Sequence, residues 1–104
     1  MITLTPETDV LDGMIKGVSK VIVMFGTPGC GYCEKLKPEF ERVSEEHSDI
    51  LFVFCDPDIL PNSSKVVQIT NIPMLVSFLD GEEIGSVIGS HKENVGKALD
   101  FFNQ

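Results

Sequence analysis

The fold of this chain is decided by one stretch, which reads Val21-Ile22-Val23-Met24-Phe25-Gly26-Thr27-Pro28-Gly29-Cys30-Gly31-Tyr32-Cys33. Its first five residues are apolar and partly β-branched, which is typical of a strand buried on both faces of a sheet. A turn rich in glycine and proline follows and leads to two cysteines. After the cysteines, Leu36, Phe40 and Val43 recur at helical spacing and predict an amphipathic helix of about four turns. The stretch therefore predicts a strand, a turn and a helix with the two cysteines at its first turn.

The segments on either side of this stretch predict further strands and helices. Weak alternation over residues 1–5 predicts a short first strand. Thr5-Pro6 predicts the start of a first helix, with threonine as the cap and proline at the first helical position. The apolar run over residues 50–55 predicts a third strand, and a short helix is expected around residues 64–68.

The last third of the chain predicts a hairpin and a terminal helix. Residues 74–79 read as a strand, and Asp80-Gly81 predicts a two-residue turn into a strand over residues 82–88. Ser90 and Glu93 have the spacing of a capping box in front of a terminal helix. The predicted order is β-α-β-α-β-α-β-β-α in a single domain over residues 1–104, with helices on both faces of a mixed sheet.

Composition limits the classes of partner. The chain has 104 residues, with 16 acidic against 8 basic side chains and a net charge of -8. This charge argues against nucleic acid and against an anionic membrane surface, because phosphate contacts need clustered lysine and arginine. No apolar run approaches the roughly 20 residues needed to cross a bilayer, and residues 1–7 lack the features of a secretory signal. We expect a monomer that works in the cytoplasm, with no nucleic-acid or membrane partner.

The cysteines carry the candidate chemistry. The chain has three, and only Cys30 and Cys33 form a close pair, which is not a disulfide framework. At a helix N-terminus, free backbone N–H groups and the helix dipole favour a thiolate at Cys30, which we predict to be the nucleophile. Cys33 lies one turn further on the same face and is predicted to be the resolving thiol. Cys55 ends a buried strand and is expected to act as a small apolar residue.

Two other interpretations of the cysteine pair stay open at this point. The pair could be an inert bridge or two buried thiols with no chemical role. A metal site needs four ligands, and only Cys55, His47 and His91 are available to join the pair. Since none of the three forms a second paired motif, no metal is expected.

The order of elements, with Cys-x-x-Cys at the second helix and Ile72-Pro73 before the fourth strand, resembles the thioredoxin family over essentially the whole chain. The likeness rests on several short motifs in the same order. They are Pro28-Gly29-Cys30-Gly31-Tyr32-Cys33, Pro38, Ile72-Pro73, Phe78-Leu79-Asp80-Gly81-Glu82 and Gly89. The resemblance implies the thioredoxin fold, a three-layer α/β/α arrangement around a central mixed sheet.

The resemblance also implies an activity. Such a protein would be a dithiol-disulfide oxidoreductase that reduces protein disulfides through Cys30 and Cys33 and binds no cofactor. Its electrons would come from NADPH through a thioredoxin reductase, and ribonucleotide reductase would be one class of client. Pro73 would be cis and lie against the cysteines, and the Ile72 backbone would bind the substrate peptide as an added strand. The residues expected to contact substrate are Gly29, Gly31, Tyr32, Ile72 and Pro73.

The chain departs from the usual thioredoxin pattern in its active-site loop. Gly29 stands where thioredoxins carry tryptophan, and Met24 stands where they bury an aspartate. Tyr32 stands where thioredoxins carry a proline, and a tyrosine before the second cysteine resembles the glutaredoxin pattern. The hairpin at Asp80-Gly81, in contrast, resembles thioredoxins.

Two alternative functions therefore stay open. One is a glutathione-dependent oxidoreductase of the glutaredoxin type, some of which hold an iron–sulfur cluster between two chains with a Cys-Gly-Tyr-Cys motif. The other is a thioredoxin-fold binding subunit in which redox activity is incidental.

Overall fold

The computed structural model describes all 104 residues, which form five strands and three helices. The strands are β1 (Ile2–Thr3), β2 (Lys20–Phe25), β3 (Leu51–Cys55), β4 (Met74–Leu79) and β5 (Glu82–Ile88). The helices are α1 (Leu11–Gly17), α2 (Gly31–Ser44) and α3 (Glu93–Asp100), and single 3₁₀ turns occur at Pro6–Thr8, Ser63–Lys65 and Phe101–Asn103. None of the helices combines the length and the apolar character needed to cross a bilayer.

The strands make one mixed sheet in the order β1-β3-β2-β4-β5. Strand β2 lies at its centre, parallel to β3 and antiparallel to β4. Strand β1 pairs in parallel with β3, and β5 pairs antiparallel with β4. The mixed sheet predicted from the order of elements is confirmed.

Alternation along β2 divides the interior into two cores. Val21, Val23 and Phe25 point to one face, where α1 supplies Leu11 and Ile15. Ile22 and Met24 point to the other face, which is covered by α2 and α3. Because successive side chains of a strand point in opposite directions, one apolar run fills both cores. The predicted three-layer α/β/α arrangement follows from this alternation.

The hairpin between β4 and β5 has the predicted two-residue turn. Asp80 and Gly81 both have positive φ, 51° and 87°, and Leu79 pairs with Glu82 across the turn. Positive φ at both central positions is the conformation whose twist matches that of the flanking strands. The residues Asp and Gly therefore set the register of this pair.

The prediction of a helix around residues 64–68 is wrong, because the segment forms only the 3₁₀ turn Ser63–Lys65. The Asp9 carboxylate accepts hydrogen bonds from the backbone N–H groups of Asn62 (2.9 Å) and Ser63 (2.7 Å). The Ser63 hydroxyl in turn accepts one from the Leu11 N–H at 3.1 Å. The segment is thus attached to the start of α1 by groups far away in the sequence, and the observed order is β-α-β-α-β-β-β-α.

Two predicted helix starts also differ from the structure. Thr5-Pro6 opens only the 3₁₀ turn Pro6–Thr8, and α1 begins later, at Leu11. The capping box at Ser90 does not form, since α3 begins at Glu93 without a side-chain cap. The Asn94 side chain instead donates hydrogen bonds to the carbonyls of Ile88 (3.4 Å) and Gly89 (3.0 Å). This contact ties α3 to the end of β5.

Gly85 gives a test of the packing between β5 and the C-terminal turn. A Cβ at Gly85 would lie 2.6 Å from three ring carbons of Phe101. We expect Gly85→Ala to lower the free energy of unfolding by about 1–3 kcal/mol, because the ring must move out of its site. Urea unfolding of the purified variant measures the change.

Gly96→Ala is the matched control, since nothing lies within 4 Å of a Cβ at this helical position. Alanine is the better helix former, so we expect this variant to gain up to about 1 kcal/mol. An unchanged stability of Gly85→Ala would contradict the described packing of Phe101.

Candidate active site

Cys30 occupies the N-cap position of α2. Its backbone is extended, with φ -82° and ψ 109°, and its sulfur accepts a hydrogen bond from the Cys33 N–H at 3.2 Å. The sulfur thus takes the place of the side-chain oxygen that usually caps a helix. The free N–H groups of the first turn favour negative charge there. Cys30 is half-buried at this helix start, whereas Cys33 is buried.

The turn between β2 and α2 needs glycine at two positions. Gly29 has φ +84°, a conformation that other residues rarely adopt. A Cβ at Gly26 would lie 3.0 Å from the Cys33 sulfur and 3.4 Å from the Phe54 ring. The absence of a side chain at Gly26 therefore allows Cys33 to pack against the end of β2.

Cys33 lies in the first turn of α2 and is buried, with 2% of its surface exposed. It belongs to the core that contains Met24, Leu36 and Phe54. Burial raises the pKa of the Cys33 thiol from 9.0 to about 11, and its hydrogen bond and charge interaction with Cys30 act in the same direction. Cys33 is therefore protonated at neutral pH. The two thiols are one helical turn apart and have opposite environments.

A groove of about 380 Å³ borders the segment between the two cysteines at Tyr32, and three of the predicted substrate-binding residues line it. They are Tyr32, Ile72 and Pro73, and the Ile72–Pro73 peptide bond is cis, the conformation that the resemblance implied. Tyr32 is 64% exposed, and the Lys35 ammonium lies 5.6 Å from its ring centroid. The other residues that line the groove are Asn71, Ile88, Gly89, Ser90 and His91.

The second wall of this groove was not predicted from the sequence. Gly29 and Gly31 lie in the turn and at the first residue of α2, and neither lines the groove. Ile88 pairs with Met74, and the Gly89 N–H donates to the Pro73 carbonyl at 3.0 Å. The hairpin register therefore carries Ile88–His91 to the proline. The Asp80-Gly81 turn, which pairs β4 with β5, was the signal in the sequence that could have placed this wall beside Pro73.

A smaller pocket of about 140 Å³ also borders Cys33. The Lys37 ammonium lies 4.1 Å from the centroid of the Phe54 ring at this pocket. The pocket is lined by Thr27, Pro28, Cys33, Glu34, Lys37 and Phe54. It shares no residue with the groove at Pro73.

The third cysteine lies away from this site. Cys55 is fully buried at the end of β3, as predicted, and packs in the core on the α1 face. Burial raises the pKa of its thiol to about 12, and the charges of Asp9 and Asp56 add to the effect. No group of three or more His, Cys, Asp or Glu side chains is arranged to hold a metal ion.

Comparison with known proteins identifies relatives over nearly the whole chain. The family model described as Thioredoxin matches residues 3–100. The thioredoxin of Mycoplasma genitalium is 31% identical over 103 residues and 99% of each chain, and that of Echinococcus granulosus is 30% identical over 89% of this chain and 87% of its own. The oxidised mitochondrial thioredoxin 3 of Saccharomyces cerevisiae superposes with a TM-score of 0.82 at 29% identity, covering 96% of this chain and 93% of that one.

The burial of the Cys33 and Cys55 thiols predicts that the stability of the folded protein depends on pH. The pKa values of Cys33 and Cys55 are raised in the folded protein, so the protonated thiols favour folding. This contribution is complete below the unfolded value of 9.0 and is lost as the pH rises towards about 12. We expect the reduced protein to lose stability above pH 9.0, and thermal unfolding at several pH values measures this loss. Cys55→Ala should flatten the dependence, and an identical slope in this variant would contradict the burial effect.

Proposed function

The chain belongs to the thioredoxin family, and from that premise we propose that it reduces disulfides in other proteins, with Cys30 as the attacking thiol and Cys33 as the resolving thiol. The chain is a small thiol-disulfide oxidoreductase, as thioredoxins are. The observation that carries the assignment of roles is the hydrogen bond from the Cys33 N–H to the Cys30 sulfur at the start of α2. It directs the accessible sulfur to the positive end of the helix and leaves the other thiol buried.

The first step is the attack of the Cys30 thiolate on a client disulfide. The S–S bond of the client breaks, one client sulfur leaves as a thiolate, and the other forms a mixed disulfide with Cys30. The cis peptide Ile72–Pro73 lies in the groove beside Tyr32. We propose that the client backbone occupies this groove as an added strand against Ile72.

The second step releases the client. Cys33 loses its proton and attacks the Cys30 sulfur, from which it is separated by one helical turn. The bond between Cys30 and the client breaks, and the second client sulfur leaves as a thiolate. A Cys30–Cys33 disulfide forms, so two electrons have passed from this chain to the client. Burial raises the pKa of Cys33, so this thiol stays protonated while Cys30 carries out the first attack.

We propose that a thioredoxin reductase, supplied by NADPH, restores the two thiols, and that ribonucleotide reductase is one class of client. The relatives named above are thioredoxins, and this chain matches 87% and 99% of their lengths, which supports a thioredoxin reductase as the electron donor. The Asp80-Gly81 turn, which resembles thioredoxins, forms a regular two-residue hairpin between β4 and β5 and supports the same donor. The glutathione-dependent alternative and the binding-subunit alternative are not favoured.

Cysteine variants test the two roles. We expect Cys30→Ser to reduce a protein disulfide at an undetectable rate, because no attacking thiol remains. Cys33→Ser should form the mixed disulfide and fail to release it. The rate of insulin reduction and the mass of the covalent complex measure these outcomes. Equal residual turnover in both variants would contradict the assignment of roles.

The electron donor is tested on the oxidised protein. It is incubated either with NADPH and a thioredoxin reductase or with reduced glutathione, at equal concentrations of reducing equivalents. Free thiols are then measured over time. We expect rapid recovery of two thiols with the reductase and slow recovery with glutathione. Faster recovery with glutathione would instead support the glutaredoxin-type alternative.

A further inference from the structure

The resolving step requires a proton to leave a buried thiol. Cys33 is 2% exposed and packs in the hydrophobic core between the sheet and α2. Strand β2 contributes Ile22 and Met24, and β3 contributes Phe54. These apolar side chains cannot accept the proton of the thiol. The proton therefore needs a route to an ionisable group or to solvent.

The pocket of about 140 Å³ beside Cys33 offers such a route. Its volume is sufficient for several water molecules, and the Thr27 hydroxyl and two charged side chains give it polar partners for water. It shares no lining residue with the groove at Tyr32 and Pro73. A client that contacts only the residues of the groove would leave the pocket open for the second step.

We propose that the proton of Cys33 leaves through this pocket by way of its water, with the Glu34 carboxylate as acceptor and the Lys37 ammonium as the positive charge that stabilises the Cys33 thiolate. The proposal rests on the function proposed above and deepens its second step. It assigns Lys37 as a positioning residue that acts on Cys33 through charge.

The position of Lys37 follows from the helix and from Phe54. Lys37 comes four residues after Cys33, so both side chains lie on the same face of α2. Its ammonium is held 4.1 Å from the centroid of the Phe54 ring. The same ring packs at the site of Gly26, where a Cβ would touch both Phe54 and Cys33. The positive charge therefore lies over a wall of the pocket that Cys33 also borders.

Glu34 is the carboxylate at this pocket. It follows Cys33 in the chain, lines the pocket and is exposed, so it can pass a proton on to bulk water. The remaining pocket residues, Thr27 and Pro28 from the loop and Phe54 from β3, are not ionisable near neutral pH. The other ionisable side chains next to Cys33 on α2 and its cap are those of Cys30, Tyr32 and Lys35, and the Lys35 ammonium lies 5.6 Å from the Tyr32 ring centroid.

The step balances without any further reactant. The S–H bond of Cys33 breaks, its proton passes to water and to Glu34, and its electron pair forms the new S–S bond with Cys30. The bond between Cys30 and the client breaks, and its electron pair leaves on the client sulfur. One proton has moved through the pocket for each turnover.

A single-turnover assay separates the two steps. The reduced protein is mixed with a small aromatic disulfide that releases a coloured thiolate, so the first release reports attack by Cys30 and the second reports resolution by Cys33. Below the pKa of the resolving thiol, the second rate is proportional to its thiolate fraction. We expect Lys37→Met to slow the second release about tenfold at neutral pH and to move its pH profile up by about one pH unit. Lys37→Arg should retain the second rate within about twofold.

The carboxylate is tested with Glu34→Gln in the same assay. We expect the second release to slow about three- to tenfold and to recover as the concentration of a small buffer base is raised, since the base replaces the lost acceptor. The first release should be unchanged in both variants. Lys97→Met and Glu41→Gln are matched controls on exposed helix positions outside the pocket and are expected to behave as the parent.

Each of the following outcomes would overturn a different part of the proposed proton route or of the proposed function. Unchanged second rates and pH profiles in Lys37→Met and Glu34→Gln would overturn the inference and leave the proposed function intact. Equal slowing of both releases in Lys37→Met would overturn it too, because the charge would then act on Cys30. An unchanged Glu34→Gln alone would overturn the assignment of the acceptor. Absence of a second release in the parent protein would instead refute the proposed roles of Cys30 and Cys33.

Discussion

The packing of Cys33 against Gly26 at the end of β2 is the contact on which the site depends. A Cβ at Gly26 would lie 3.0 Å from the Cys33 sulfur, so a side chain at this position would require Cys33 to move away from the strand. The approach buries Cys33 and leaves Cys30 at the N-cap, with its sulfur bonded to the Cys33 N–H. One close contact between sheet and helix thus gives two thiols in one helical turn opposite properties.

The sheet supplies this contact through β2. Its side chains alternate between two cores, and both faces are covered by helices, so the strand cannot shift without exposing apolar surface. The pairing of β4 with β2 and β5 brings Pro73 and Ile88 to the same end of the sheet. The redox pair and the groove therefore share one rigid support, while the pocket at Lys37 opens separately. The groove proposed for the client and the pocket proposed for proton release are therefore separate surfaces of the molecule.

The elements that sequence reasoning located are those whose signals are local. The apolar run of β2, the helical period of α2 and the Asp80-Gly81 turn each act within a few residues, and each forms as predicted. The helix around residues 64–68 failed because Asp9, more than fifty residues away, binds the backbone of Asn62 and Ser63. The capping box at Ser90 failed for a different reason, because a nearby side chain, that of Asn94, bonds to the carbonyls of Ile88 and Gly89 and α3 begins at Glu93 without a side-chain cap.

For the site, the sequence by itself determined the cysteine pair at a helix start, the proline at residue 73 and the presence of Tyr32 between the thiols. These features depend on spacing and on residue type, which are visible along the chain. Only the tertiary structure decided the burial of Cys33, the wall of the groove formed by Ile88 and His91, and the position of Lys37 over Phe54. Each of these needs side chains from separate strands and helices to meet, and the free energy of a buried thiol or of a held charge depends on that meeting.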